Sequence, residues 1–243
     1  MQNSVLTISA LNIVIENKQL LANFCLQINR GERIAITGPS GCGKSTLLKA
    51  IISGKFPSGS SVKAFLKSSK ENYAYAPQKE GLSPWFSLKK NISIFNRDNQ
   101  FAENIIEKFG LKSILSNFPN QLSGGEYQRS TLATALVSKP NFLIADEPFT
   151  ELDLPTKWKM LEFSSSYISK NQATLLLVSH DPDTLLYLSD RIIILSDKPS
   201  KIEAEIKLPT SHPRKVDYLT SEEFNDAKKI LLEKINDRER NSR

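Results

Sequence analysis

Residues Gly38-Pro39-Ser40-Gly41-Cys42-Gly43-Lys44-Ser45-Thr46 carry the spacing G-x-x-x-x-G-K-[ST]. No other stretch of the 243 residues restricts the fold so narrowly. The apolar run Arg33–Thr37 before it reads as a strand, and Thr46–Ser53 after it reads as a helix. Glycines let the chain turn tightly between the two and point N–H groups into a concave anion nest. The helix start adds the positive end of its dipole. A lysine closing such a nest reaches the β- and γ-phosphates of a nucleotide, and the serine after it can ligate Mg2+. Gly38 to Thr46 are therefore expected to cradle phosphate, with Lys44 on the outer phosphates and Ser45 on the metal. Cys42 is expected to serve as a spacer in the loop rather than a reacting group.

The rest of the chain supplies a sheet for this loop. Apolar runs at Asn141–Ala145, Thr174–Ser179 and Arg191–Leu195 read as strands buried on both faces. Helical patterns lie between them. One starts at Gly43, carries Leu47, Leu48, Ile51 and Ile52 on one side and stops at Gly54. Another holds Leu132, Ala135 and Leu136 and ends before Pro140. Strands alternating with helices predict an α/β fold on a parallel sheet. The first thirty residues differ: Val5–Ile8, Ile13–Ile15 and Phe24–Ile28, with a turn at Asn17, read as antiparallel strands. Pro84 to Ser123 shows helical patterning (Phe101–Phe109, Ile114–Phe118) and reads as a helical insertion. From Lys201 a loop is expected to lead to a last helix, capped by Thr220 and Glu223 and burying Phe224, Ala227, Leu231 and Ile235.

Two further strand ends carry chemistry. The run Asn141–Ala145 ends in Asp146-Glu147-Pro148. Neighbouring residues on a strand point opposite ways. Asp146 can then serve Mg2+ through water while Glu147 orients and deprotonates the attacking water. His180 follows Thr174–Ser179 at another strand end of the same sheet, within expected reach of the γ-phosphate. His212, beside Pro213, has no such context and is read as inert.

Leu122-Ser123-Gly124-Gly125-Glu126-Tyr127-Gln128-Arg129 resembles the LSGGxxQR signature of ABC ATPases. With the phosphate loop, Asp-Glu-Pro and Ser-His-Asp in this order, the resemblance covers nearly the whole chain. It implies a P-loop NTPase with a RecA-like parallel core, an N-terminal antiparallel β subdomain and an inserted helical subdomain. The corresponding boundaries are 1–83 and 140–200 for the core with its β subdomain, 84–139 for the helical subdomain and 201–243 for a tail and helix. It also implies that Ser123, Gly124 and Gly125 hold the γ-phosphate of an ATP bound to a second copy, in a head-to-tail homodimer. Gln78, in Ala-Pro-Gln, resembles the Q-loop glutamine that senses Mg2+ and the γ-phosphate. Leu152-Asp153 resembles the D-loop that crosses to the partner. Thr150-Glu151 precede it where other members often have a serine or glycine and an alanine. Ile15 stands where the family often stacks an aromatic ring on adenine. Thr134 stands where many members have arginine.

Gln78-Lys79-Glu80-Gly81-Leu82-Ser83-Pro84-Trp85 resembles the Q-loop of importers for nitrate, sulfonates and taurine. That branch implies transmembrane permease subunits as partners, with Trp85 and Phe86 at the groove that receives them. An extracytoplasmic solute-binding protein would act indirectly. No 18-residue apolar run and no signal peptide are visible, so a peripheral place on the cytoplasmic face of the inner membrane is expected. Two cysteines, Cys25 and Cys42, suit a reducing compartment. The net charge of +6 is scattered, and the basic residues of the tail (Arg214, Lys215, Lys228, Lys229, Arg238, Arg240, Arg243) are expected to be solvated. Nucleic acid is not expected as a partner, because a single cassette without long insertions is unlike the soluble family members that act on DNA or the ribosome. An exporter or lipid-handling role is disfavoured by the Pro-Trp segment.

Overall fold

The computed structural model describes residues 4–67, 71–96, 98–209 and 212–241. The chain opens with a hairpin of two long strands, β1 (Ser4–Ile15) and β2 (Lys18–Asn29). Its two-residue turn places Glu16 and Asn17 at φ 50° and 61°, the conformation that matches the twist of the flanking strands. The three short runs legible in the sequence belong to these two strands. There follow β3 (Arg33–Thr37), α1 (Lys44–Ser53), β4 (Ala64–Lys67) and β5 (Tyr73–Ala76). The helical region holds α2 (Leu88–Phe95), α3 (Asn99–Lys108) and α4 (Gly124–Val137). The remainder is β6 (Phe142–Asp146), α5 (Leu154–Asn171), β7 (Thr174–Val178), α6 (Pro182–Leu188), β8 (Arg191–Leu195), β9 (Ile202–Lys207) and α7 (Glu222–Asn241).

β1, β2 and β4 form an antiparallel sheet in the order β2-β1-β4. The second sheet runs β5-β6-β7-β3-β8-β9, parallel except for β9. Side-chain alternation along its central strands separates two cores. Ile34, Ile36, Phe142, Ile144, Leu176 and Val178 face α1 and the antiparallel sheet. Ala35, Leu143, Ala145, Leu175 and Leu177 face α4, α5 and α6. Period-two packing on both faces explains why these runs are apolar throughout.

Three local expectations give way to the structure. Ile202, Ala204 and Ile206 alternate with charged residues and pair with β8, so the segment after Lys201 is an edge strand, not a loop. Ile114–Phe118 is not a helix. A 3-10 turn covers Lys112–Ile114, and Pro119 begins another. The cap of α7 is Ser221, whose hydroxyl accepts the Phe224 N–H at 3.1 Å, while Thr220 donates to Asp217 instead. Phe224, Ala227 and Leu231 are buried as the helical spacing predicts.

The tail is bolted to the core rather than solvated at Arg214. Its buried guanidinium donates to the carbonyls of Leu186 and Ser189. His212 is also buried at its side chain. Burial, reinforced by the guanidiniums of Arg33 and Arg214, pushes its pKa down to about 3. Lys228 pairs with Asp183 at 2.6 Å. The side chains of Arg238, Arg240 and Arg243 lie outside the described part.

Candidate active site

The phosphate loop joins the end of β3 to α1. Gly43 adopts φ 107° and precedes α1, a conformation that L side chains rarely take. A Cβ there would also meet Leu20 Cγ at 2.9 Å, because β2 packs its Leu20 against the loop. That contact sets the hairpin end, with the half-exposed Ile15, beside the loop. Ser200, remote in sequence, is buried and donates to the Cys42 carbonyl at 2.7 Å, clamping the loop from the other side. Cys42 itself is buried, as a spacer should be. Lys44 Nζ lies across the loop, donating at 2.8 Å to the carbonyls of Gly38 and Pro39.

The start of α1 differs from those of the other helices. Side chains of Ser87, Asp98, Ser123, Asp153 and Asp181 cap α2 to α6. No side chain caps α1. Among the described residues, the N–H groups of Gly41, Gly43, Lys44 and Ser45 find no acceptor. Uncapped N–H groups at a helix start form a seat for an anion.

Asp146 ends β6 beside this seat. Burial pushes its carboxyl pKa up, and a hydrogen bond from Ser45 together with the charges of Lys44 and Lys49 opposes the rise. Its Oδ1 is buried without a hydrogen-bond partner among the described residues. A buried carboxylate oxygen beside a hydroxyl is a donor pair suited to a hard divalent cation.

Glu147 is buried, at φ 50°, in the left-handed region that non-glycine residues seldom enter. Its N–H donates to Val178 at 2.9 Å, continuing the ladder to β7. The side chain is held from two sides: Oε1 lies 2.9 Å from His180 Nδ1, and Oε2 accepts Thr150 Oγ1 at 3.0 Å. His180 remains 63% exposed, so it faces the site from solvent while touching the carboxylate. Sequence reasoning had no signal for the role of Thr150.

The signature segment forms the start of α4. Ser123 caps it, and Glu126 returns to the Ser123 N–H and hydroxyl at 2.8 Å each. These bonds hold the Glu126 carboxyl below its usual range. Gln128 then links α4 to the end of β6: Nε2 donates to the Glu147 carbonyl at 3.1 Å, and Oε1 accepts the Glu151 N–H at 2.8 Å. Tyr127 Oη accepts the Gly81 and Leu82 N–H groups, tying α4 to the loop after β5. Gln78, in that loop, is exposed and lines a cleft of about 720 Å3 with Gly124, Gln128 and Glu151.

The structure thus brings Lys44, Ser45, Asp146, Glu147 and His180 to the ends of neighbouring parallel strands. Ser123, Gly124 and Gly125 gather elsewhere with Gln78. No hydrogen bond or ion pair joins them to the phosphate loop of the same chain among the described residues. Trp85 is 83% exposed and Phe86 40%, so neither is a core residue.

Comparison with known proteins shows the family. A family profile described as ABC transporter matches residues 21–150. The aliphatic sulfonates import ATP-binding protein SsuB of Bacillus cereus is 34% identical over 226 residues, covering 89% of this chain and 88% of that protein. SsuB 2 of Pseudomonas syringae pv. tomato is 35% identical over 199 residues, covering 80% and 84%. The dimeric post-hydrolysis structure of the ATP-binding cassette MJ0796, bound to ADP and Pi, superposes with a TM-score of 0.71 at 26% identity, covering 85% of this chain and all of that one. A dimeric structure of the same cassette gives 0.72. Loop, strand ends, signature helix and relatives converge: the chain belongs to the ABC transporter family and is one of its ATP-hydrolysing cassettes.

Proposed function

We propose that two copies of this chain, arranged head to tail, power the import of a small sulfonate-type solute through transmembrane permease subunits. The carrying observation is the separation of two anion seats on one chain. The uncapped start of α1 holds Lys44, while the start of α4 holds Ser123, Gly124 and Gly125 away from it. Each seat is completed by a second copy, so two ATP molecules are bound per closed pair. The relatives named as aliphatic sulfonate importers support the choice of cargo class. The exposed Trp85 and Phe86 offer apolar surface to the permease.

In this reading Gly38 to Thr46 bind the phosphates and Lys44 neutralises the outer ones. Ser45 and Asp146 would hold Mg2+, for which the orphaned Asp146 Oδ1 is a fitting ligand, and Gln78 would join them when the pair closes. Bound there, the ion would neutralise charge developing on the transferred phosphoryl group. Glu147 takes the proton of the attacking water, and His180 positions both the carboxylate and the γ-phosphate. Ile15 contributes an aliphatic rest for adenine. Residues 84–139 move as a helical subdomain when the pair closes, pulling on permease subunits in the inner membrane. An extracytoplasmic solute-binding protein delivers the cargo from the other side.

Glu147→Gln tests the reading. With Mg-ATP the variant should form a stable dimer and lose at least about a hundredfold in turnover, the scale of removing a positioned general base. Wild-type turnover, or a monomer at saturating ATP, would refute it. Loss of alkanesulfonate uptake on deletion of the chain, restored by wild type and not by Glu147→Gln, tests the cargo class.

A further inference from the structure

Glu151 turns back onto the signature helix of its own chain. Gln128 Oε1 fixes its N–H at 2.8 Å. Its backbone carbonyl lies only 3.0 Å from where a Cβ on Gly125 would sit. The side chain then extends over Gly124, where a Cβ would overlap Glu151 Oε2. Glycine at 124 is what gives the carboxylate this room. The surface it covers is the positive end of α4, which favours an anion.

In the two-copy reading, the γ-phosphate of the partner's ATP must arrive at this same helix start. A carboxylate and a phosphate repel at contact distance, so one must leave. We infer that Glu151 is an internal anion that occupies the signature helix start in the separated copy and is displaced by phosphate when two copies close. This inference rests on the head-to-tail reading above. Glu151 therefore raises the ATP concentration needed for closure.

The test uses Glu147→Gln as the parent, with Glu151→Ala and Glu151→Gln added. ATP-dependent dimerisation is followed by analytical ultracentrifugation at low and high salt. Losing one charge–helix contact shifts an equilibrium about two- to fivefold, so two such sites should raise the dimer constant about four- to twenty-five-fold. Glu151→Gln should follow Glu151→Ala, and both gains should shrink at high salt. Glu103→Gln, at an exposed position of α3, makes the same change in net charge and should leave the midpoint in place. If neither Glu151 variant tightens the dimer, the inference fails. If alanine tightens it and glutamine does not, bulk rather than charge is responsible and the inference fails equally. A parent that does not dimerise with ATP would overturn the head-to-tail reading, and this inference with it.

Discussion

Replacing Gln128 with alanine should damage stability and turnover through two identifiable bonds. Gln128 is 5% exposed, and its amide spans from α4 to two backbone groups beyond β6. Truncation leaves the Glu147 carbonyl with only the 3.3 Å contact from Thr150 Oγ1. It also frees the Glu151 N–H, which water can reach because Glu151 is exposed. The second loss should cost about 1 kcal/mol, and the first, at a buried group, about 1–2 kcal/mol. The sum of about 2–3 kcal/mol corresponds to a fall of about 4–12 °C in melting temperature for a chain of this size. Turnover should fall further than stability implies. The Gln128 bond is one of the constraints holding Glu147 at positive φ, and a base displaced by about 1 Å can lose about a hundredfold in rate. Gln128→Glu separates the effects. It keeps an acceptor for the Glu151 N–H but sets a second oxygen against the Glu147 carbonyl, so it should be no better than alanine. Thermal melting and steady-state ATPase assays at saturating ATP read both quantities. If Gln128→Ala melts within a degree of wild type and hydrolyses ATP at its rate, the proposed link from α4 to the base is wrong.

Two pH-linked outcomes follow from buried groups. The folded state holds His212 down to about 3, whereas the unfolded imidazole titrates at its ordinary value. Protonation therefore favours unfolding: the contribution is intact above about pH 6.5 and is lost at about 1.4 kcal/mol per pH unit below it. His212→Gln should flatten the melting-temperature profile between pH 6.5 and 4.5, and equal slopes for the two proteins would refute this. Asp146 has the opposite sign, because burial raises its carboxyl and its charge opposes folding as pH climbs through that raised value. Without nucleotide at neutral pH, Asp146→Asn should melt above wild type, and Mg-ATP should stabilise it less. A lower melting point in the absence of Mg-ATP would contradict the burial argument.

The parts of the site legible in sequence were those carried by local pattern. The run Gly38–Thr46 announces strand, turn and helix through residue type alone, and β3, β7 and β8 were visible because both faces of each are apolar. β9 was missed because an edge strand buries only one side, and Ile202, Ala204 and Ile206 among charged residues resemble a loop. Helix α5 went unread for a related reason: its buried positions include Ser164 and Ser165, which dilute an apolar stripe. Arg214 and His212 looked like tail residues because nothing local reveals that α6 and the start of β3 enclose them. Thr150, Gln128 and Ser200 hold the catalytic elements only through contacts distant in sequence. Residue type gives a reacting group away. The residue that positions it is known only from its neighbours in space.

Three costs fall at one end of the sheet. The start of α1 lacks a side-chain cap, Asp146 is buried beside it with an orphaned oxygen, and Glu147 sits at φ 50°. Each opposes folding, and the first stands out against the other helix starts, because α2 to α6 are capped by their own residues. Unpaired N–H groups need an anion and an orphaned carboxylate oxygen needs a cation, so one ligand bearing both phosphates and a divalent ion would relieve both. The strain at Glu147 is of another kind, because no ligand contact removes a positive φ. It persists because Val178, Gln128, His180 and Thr150 together hold the residue from four directions. Binding can therefore relieve the first two costs while leaving the base aimed, which is the combination a hydrolase needs and a passive nucleotide store does not.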